Sequence, residues 1–220
     1  MNIEEAYNQW SNQYDTNQNK TRDLEAISLR ETLEEIDFEN CLEIGCGTGK
    51  NTEWLITKGK SILAIDLSDK MLNIARKKVV HENVEFLKAD INKVWDFTDK
   101  QFDLVVCSLV LEHIENIDRV IKLIADRMKF GGTLYIGELH PFKQYSGSKA
   151  RFLTEEGEQV VPCFTHNISE FTTSAKKYGL KIEDIREYFD EDDQTNIPRI
   201  LTLKFEKEDL RLTRILGEAG

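Results

Sequence analysis

Three glycines at alternate positions, Gly45, Gly47 and Gly49, follow a short apolar run (Cys41, Leu42, Ile44) and precede a helix-forming stretch at 51–58. Few folds accommodate that order. The apolar run reads as a buried strand. Glycine turns tightly at positive φ and lets a ligand lie against bare backbone. The helix that follows aims unpaired N–H groups, the positive end of its dipole, at whatever sits there. The combination predicts a small-molecule cradle at the carboxyl end of the first parallel strand of an α/β sheet.

The spacing narrows the ligand. A dinucleotide fingerprint is G-x-G-x-x-G, which brings a pyrophosphate to the helix N-terminus. Here the pattern is Glu43-x-Gly45-x-Gly47-x-Gly49. A carboxylate so near the loop is awkward for a pyrophosphate and suits a ligand carrying positive charge. S-adenosylmethionine (SAM) is such a ligand, with a sulfonium, an α-ammonium and no phosphate. The stretch resembles the first motif, E/D-x-G-x-G-x-G, of the class I SAM-dependent methyltransferases. The resemblance implies SAM as cofactor, S-adenosylhomocysteine (SAH) as product, and Glu43, Gly45, Cys46, Gly47 and Gly49 among the cofactor contacts.

Two more acids follow in register. Residues 61–66 read as a second strand ending in Asp66, 19 positions past Gly47, close to the ~20 expected of a carboxylate that grips ribose hydroxyls. Ser68 is placed to cap the next helix, with Met71, Leu72 and Ala75 facing inward. Residues 84–91 read as a third strand ending in an acid, Asp90. In the resembled family the residues after the second-strand acid flank adenine, which implies Leu67 and Met71. There too an acid in the place of Asp90 takes the adenine amino group and the next backbone N–H, that of Ile91, a ring nitrogen. Residues 102–108 form a fourth, doubly buried strand. The run Leu109-Val110-Leu111-Glu112-His113-Ile114 is similar to the family loop that approaches the sulfonium, which implies Ser108, Leu109 and His113 as cofactor neighbours. His113 is expected to brace that loop.

Around this centre the chain is more individual. Tyr7, Trp10 and Tyr14 share one face of a helix at 3–16, either a staple for the N-terminus or a lid over the cofactor. The resemblance implies Tyr14 as a contact, and Arg22 could reach the SAM carboxylate. The next helix is expected to turn Leu24, Ile27, Leu33 and Ile36 inward. A helix at 116–128 with an apolar stripe is expected to stop at Gly131-Gly132, followed by a fifth strand at 133–138. About 27 residues then intervene before the next helix, long for a compact domain, and they mix aromatics with cations (Phe142, Lys143, Tyr145, Lys149, Arg151, Phe152). That stretch reads as a wall for an anionic or aromatic substrate, and His140 and His166 at its ends are the candidate catalytic bases. A capping box at Asn167 and Glu170 opens the last helix. Strands at 181–189 and 199–205, joined by an acidic loop at 190–197, close the sheet as an antiparallel hairpin.

The resulting expectation is one α/β domain over 1–220 with a three-layer, Rossmann-like class I methyltransferase fold. Its seven-stranded, mostly parallel sheet has order 3-2-1-4-5-7-6 with strand seven antiparallel. A lid segment at about 1–36 and an insertion at about 140–168 lie over the site. The formal charge of −11, from 29 cationic and 40 acidic side chains, opposes nucleic acid or an anionic membrane as main partner. No apolar run approaches a membrane span, the first residues do not resemble a signal peptide, and the four cysteines form no C-x-x-C pair. A cytoplasmic, metal-free enzyme transferring a methyl group to an O or N atom of a small-molecule acceptor is the expected function. Two readings compete with it: a SAM- or SAH-binding protein without methyl transfer, and a nicotinamide-dependent oxidoreductase.

Overall fold

The computed structural model describes residues 2–154, 157–190 and 197–209. Most of the acidic loop at 190–197 and of the tail from residue 208 lies outside them. Helix α1 (Ile3–Tyr14) starts at a reciprocal cap between Asn2 and Glu5, and α2 (Lys20–Leu33) at Asn19. Then follow β1 (Asn40–Ile44), α3 (Lys50–Lys58), β2 (Ser61–Asp66), α4 (Asp69–Lys78), β3 (Val84–Lys88) and β4 (Phe102–Ser108). After β4 come a single 3-10 turn (Leu111–His113), α5 (Ile117–Arg127), β5 (Met128–Leu139) and α6 (Pro141–Tyr145). The chain closes with β6 (Arg151–Thr154), β7 (Gly157–Val160), α7 (Ile168–Lys177), β8 (Leu180–Tyr188) and β9 (Ile200–Lys207).

Seven strands form one sheet in the order β3-β2-β1-β4-β5-β9-β8, and β6 pairs with β7 in a separate hairpin. Pairing is parallel from β3 through β5, and β9 runs antiparallel to both its neighbours. Numbered without the added hairpin, this is the order expected from the sequence. The alternation of side chains along each strand divides the core into two layers. Leu42, Ile44, Val105, Cys107, Leu134 and Ile136 face α5 and α7. Cys41, Ile62, Ala64, Leu104, Val106 and Tyr135 face α2, α3 and α4. Glu43 alternates with Cys41 onto that second face. Among the described residues no helix is long and apolar enough to cross a membrane.

Four local expectations are corrected. Helix α5 ends at Arg127, because Met128 is fully buried and already pairs with Phe102. The two glycines sit in an irregularity of β5, where the partner of the next β4 residue jumps to Thr133. Strand β3 stops at Lys88, so Asp90 lies in the loop beyond it. The buried face of α2 is rotated from the expected one: Glu25, Ala26, Ser28, Leu29, Thr32 and Leu33 are inside, and Ile27 is 47% exposed. The 140–168 stretch holds α6 and the β6–β7 hairpin, which its short length and polar composition concealed.

Candidate active site

The loop after β1 depends on backbone that only glycine adopts without strain. Gly45, Gly47 and Gly49 all have positive φ. A Cβ on Gly45 would lie 2.9 Å from Val110, so the loop after β4 packs directly on this turn. The N–H of Gly47 donates to Asp66 Oδ2 at 2.9 Å, while Oδ1 accepts from the N–H of Ser68 at 2.8 Å. Asp66 is therefore aimed across the loop by two backbone donors, against burial that pushes its carboxyl up. Gly49 serves a different purpose. It precedes α3, and a Cβ there would meet Ala75 at 3.2 Å, so it sets the packing of α3 on α4 and does not line the cleft.

Beneath the loop lies a small recess bordered by Tyr14, Arg22, Glu25, Glu43, Cys46, Lys50, Asn51 and Ser108. Glu43 accepts from Thr52 Oγ1 at 2.5 Å, and burial, reinforced by Glu25 and Asp66, pushes its carboxyl up to about 8. Glu25 accepts from Tyr135 Oη at 3.1 Å and from Asn51 Nδ2 at 3.2 Å, and burial raises it too. Asn51 Nδ2 also donates to Ser108 Oγ at 3.1 Å, which leaves Asn51 Oδ1 buried without a partner among the described residues. Arg22 donates to the carbonyls of Tyr14 and Asn17 and stacks over the Tyr14 ring at 4.7 Å. Glu25 is the acid of this recess that the sequence reading missed. An acid in a helix is assigned to the solvent face by default, and only the tertiary fold turns it inward.

The recess adjoins a cleft at the carboxyl ends of the central strands, the two sharing Tyr14, Gly45, Gly47, Ser108 and Leu109. Asp66, Leu67 and Met71 form one wall, Asp90 and Ile91 another, and Ser108, Leu109 and His113 a third, with Tyr7 and Tyr14 of α1 above. Leu109 has φ +52, the one non-glycine residue at positive φ among those described. Such backbone persists where its surroundings over-determine it. Here Glu138 of β5 supplies the constraint: its buried carboxylate accepts from the N–H groups of Val110 (3.0 Å), Leu111 (2.8 Å) and Glu112 (3.3 Å).

His113 does brace its surroundings. Its Nδ1 lies 2.8 Å from the carbonyl of Pro162, which fixes the proton there and leaves Nε2 to accept from Tyr7 Oη at 2.7 Å. The ring thus ties α1 to the 140–168 insertion. Trp10 adds a second tie by stacking on Phe152 of β6, centroids 5.4 Å apart and 14° between planes. Beyond Leu109 a second compartment lies under this joint cover. It is lined by Tyr7, Trp10, Tyr14 and Glu112 and by the cations Lys20, Arg22, Lys149, Arg151 and Arg199.

The two histidines expected as bases are elsewhere. His140 is fully buried, with Nε2 3.0 Å from Glu187 and Nδ1 accepting from Phe142 N–H at the start of α6. His166 places Nε2 2.7 Å from the carbonyl of Ile114 and Nδ1 3.5 Å from Glu170. Neither borders the cleft or the second compartment. His140 joins the start of α6 to β8, and His166 joins the end of the insertion to Ile114 and α7, so neither ring stands where a base at the cleft was expected.

Comparison with known proteins agrees with this architecture. Residues 42–136 match the family model described as a methyltransferase domain. A ubiquinone biosynthesis O-methyltransferase of Dechloromonas aromatica is 30% identical over 132 residues, 59% of this chain and 56% of that protein. The chain thus spans little more than half the length of that curated relative. Among solved structures, a chain from Listeria monocytogenes assigned as a SAM-dependent methyltransferase superposes with TM-score 0.74 at 21% identity, covering 85% of this chain and 99% of that one. The N-methyltransferase NodS of Bradyrhizobium japonicum, in complex with SAH, superposes with TM-score 0.68 at 19% identity, covering 92% and 98%. The fold is that of the Rossmann-like class I methyltransferases.

Proposed function

We propose that this chain, whose residues 42–136 match the methyltransferase-domain family model, transfers the methyl group of SAM to an O or N atom of a small-molecule acceptor. The observation that carries the reading is the recess under the glycine loop. Glu25, Glu43 and the unpartnered Asn51 Oδ1 all accept, so a ligand that brings N–H donors and positive charge completes it. The α-ammonium of SAM has that chemistry, and Arg22 and Lys50 on the same border suit its carboxylate. Asp66 would hold the ribose hydroxyls, and Leu67, Met71 and Ile91 would enclose adenine with Asp90 at its polar edge. Gly45, Cys46, Gly47, Tyr14, Ser108, Leu109 and His113 would line the path between. A pyrophosphate, by contrast, would face carboxylates.

The cofactor supplies an activated methyl group whose leaving group is a neutral thioether. The protein's contribution is alignment and exclusion of water, worth up to ~7–11 kcal/mol in favourable cases. The segment at 1–36 and the insertion at 140–168 act as the cover of a single domain, tied together through His113 and the Trp10–Phe152 stack. The second compartment, rich in cations and aromatics within an acidic chain, suits an anionic or aromatic acceptor. The relatives support transfer to a heteroatom, one being named an O-methyltransferase and one an N-methyltransferase.

The test is a thermal-shift panel with SAM, SAH, NAD and NADP, followed by assay of SAH release with candidate acceptors. Saturation at 100 Kd stabilises by about 2.7 kcal/mol. Stabilisation by SAM and SAH alone is expected. A response to NAD alone would sink the reading, and binding without SAH release from any acceptor would leave a SAM-binding module.

A further inference from the structure

We infer that Glu112 is the proton acceptor of the transfer, and that the acceptor is therefore a hydroxylated anion whose O–H faces Glu112 while its anionic end lies among the compartment's cations. The inference rests on the methyltransferase reading and adds the catalytic group and the substrate class. Four observations carry it. First, among the described residues Glu112 is the one carboxylate lining the second compartment, against five cationic side chains. Second, its side chain is nearly buried yet weakly engaged: Gln144 Nε2 lies at 3.3 Å and His113 Nε2, already committed to Tyr7, at 3.9 Å. Third, it lies three residues past Leu109, which with Tyr14 borders the recess, the cleft and the second compartment alike. Fourth, the 3-10 turn that carries it is pinned at three N–H groups by Glu138, so its position is fixed relative to the cleft.

The groups facing Glu112 make it a base. Burial raises its pKa, while His113 and hydrogen bonds from Gln144 and Cys163 oppose the rise. Glu138, behind the same turn, is pushed up to about 8 by burial and by Glu112 itself. Tyr7 above and Lys149 across the compartment complete the surroundings. Of the five, Arg151 is bonded to Glu158, Arg199 to Asp190 and Arg22 to the carbonyls of Tyr14 and Asn17, whereas Lys20 and Lys149 pair with no carboxylate among the described residues. The two unpaired lysines are the ones left for an anion.

The step balances without a further reactant. The acceptor O–H proton passes to a Glu112 oxygen, and the oxygen lone pair forms the new C–O bond to the methyl carbon. The C–S bond breaks, its electron pair remains on sulfur as a neutral thioether, and Glu112 returns the proton to solvent.

The experiment uses the full chain with SAM and a panel of hydroxybenzoates, their methyl esters, 4-aminobenzoate and a nitro-substituted hydroxybenzoate whose phenol is already ionised at assay pH. Wild type is expected to release SAH from hydroxybenzoates and far less from the esters or the amine. Glu112→Gln is expected to lower kcat by about 10²–10⁴-fold with KM, SAM-induced stabilisation and far-UV CD unchanged, and Glu112→Asp to retain part of the rate. The pre-ionised acceptor needs no base, so Glu112→Gln should turn it over at nearly the wild-type rate. An equal loss on both acceptor types would make Glu112 structural and overturn the proposal, as would wild-type rates in Glu112→Gln. SAM binding with no turnover of any hydroxylated anion, or with a preference for the amine, would overturn the substrate class while leaving the methyltransferase reading intact. Absence of SAM binding would defeat that earlier reading instead.

Discussion

At the scale of single residues, the site is built from acids that are costly to bury. Glu43 and Glu138 are each pushed up to about 8 by burial, above the ordinary glutamate value of ~4.3. The folded chain therefore holds protons that the unfolded chain has released. Stability from these groups is fully present below the unfolded pKa and is lost as pH rises through about 8. His140, lowered by burial, acts oppositely and at lower pH, and Asp118, held at about 2 by Lys177, acts lower still. Unfolding free energy should thus fall between pH 7 and 8, each excess proton contributing up to ~1.4 kcal/mol per pH unit. Denaturation of Glu43→Gln across that range should lose one proton's share of the slope; an unchanged slope would place the proton elsewhere. The glycines divide the same way. Gly45→Ala combines positive φ with a Cβ 2.9 Å from Val110, a strain of about 1–3 kcal/mol, and should lower Tm and abolish the response to SAM. Gly49→Ala presses on Ala75; it should lower Tm comparably and keep that response.

At the scale of elements, the cover over the site is made of two pieces distant in sequence. Helix α1, β6 and the residue after β7 share a small apolar cluster of Ala6, Trp10, Phe152 and Val161, separate from the two main core layers. A cluster that small holds its elements less firmly than the sheet holds its own. The Trp10–Phe152 stack should show a coupling of about 0.5–1.5 kcal/mol in a double-mutant cycle read by chemical denaturation. His113→Ala removes the link between Tyr7 and Pro162. Amide exchange should then accelerate together over α1 and over the strands β6 and β7, with β1 and β4 unaffected. Acceleration confined to one piece would mean that the two move independently.

At the scale of the whole molecule, the sheet joins both halves of the site. Strands β1 and β4 lie side by side at its centre, so the loops after them meet at the Gly45–Val110 contact. The antiparallel β9 brings Arg199 beside the same edge, where its N–H donates to the carbonyl of Tyr188 and its guanidinium to Thr21 of α2. Helices pack on both faces of that sheet, α5 and α7 on one and α2, α3 and α4 on the other. Far-UV CD and tryptophan fluorescence should report one coincident thermal transition, raised by SAM. Two separated transitions would show that the cover unfolds on its own.

The sequence by itself determined the parallel sheet, its strand order and the ligand-facing loops. Buried strands are near-continuous apolar runs, and glycines and acids at strand ends are local signals that need no partner to be read. Asp66, at the end of β2, borders the cleft as that signal implied, whereas Leu67, Met71 and Asp90, which border it too, were expected from the family resemblance. What only the tertiary structure decided is which polar side chains turn inward. Glu25 is buried because Tyr135 and Asn51, remote in sequence, meet it. His140 and His166 are withdrawn from the site because Glu187 and the carbonyl of Ile114 claim their nitrogens. Glu112 faces the second compartment because Glu138, 26 residues on, holds its turn. Period and composition record the burial of apolar groups, whose cost in water is local and additive. The destination of a buried polar group is set by the partner that satisfies it, and that partner is chosen by the fold.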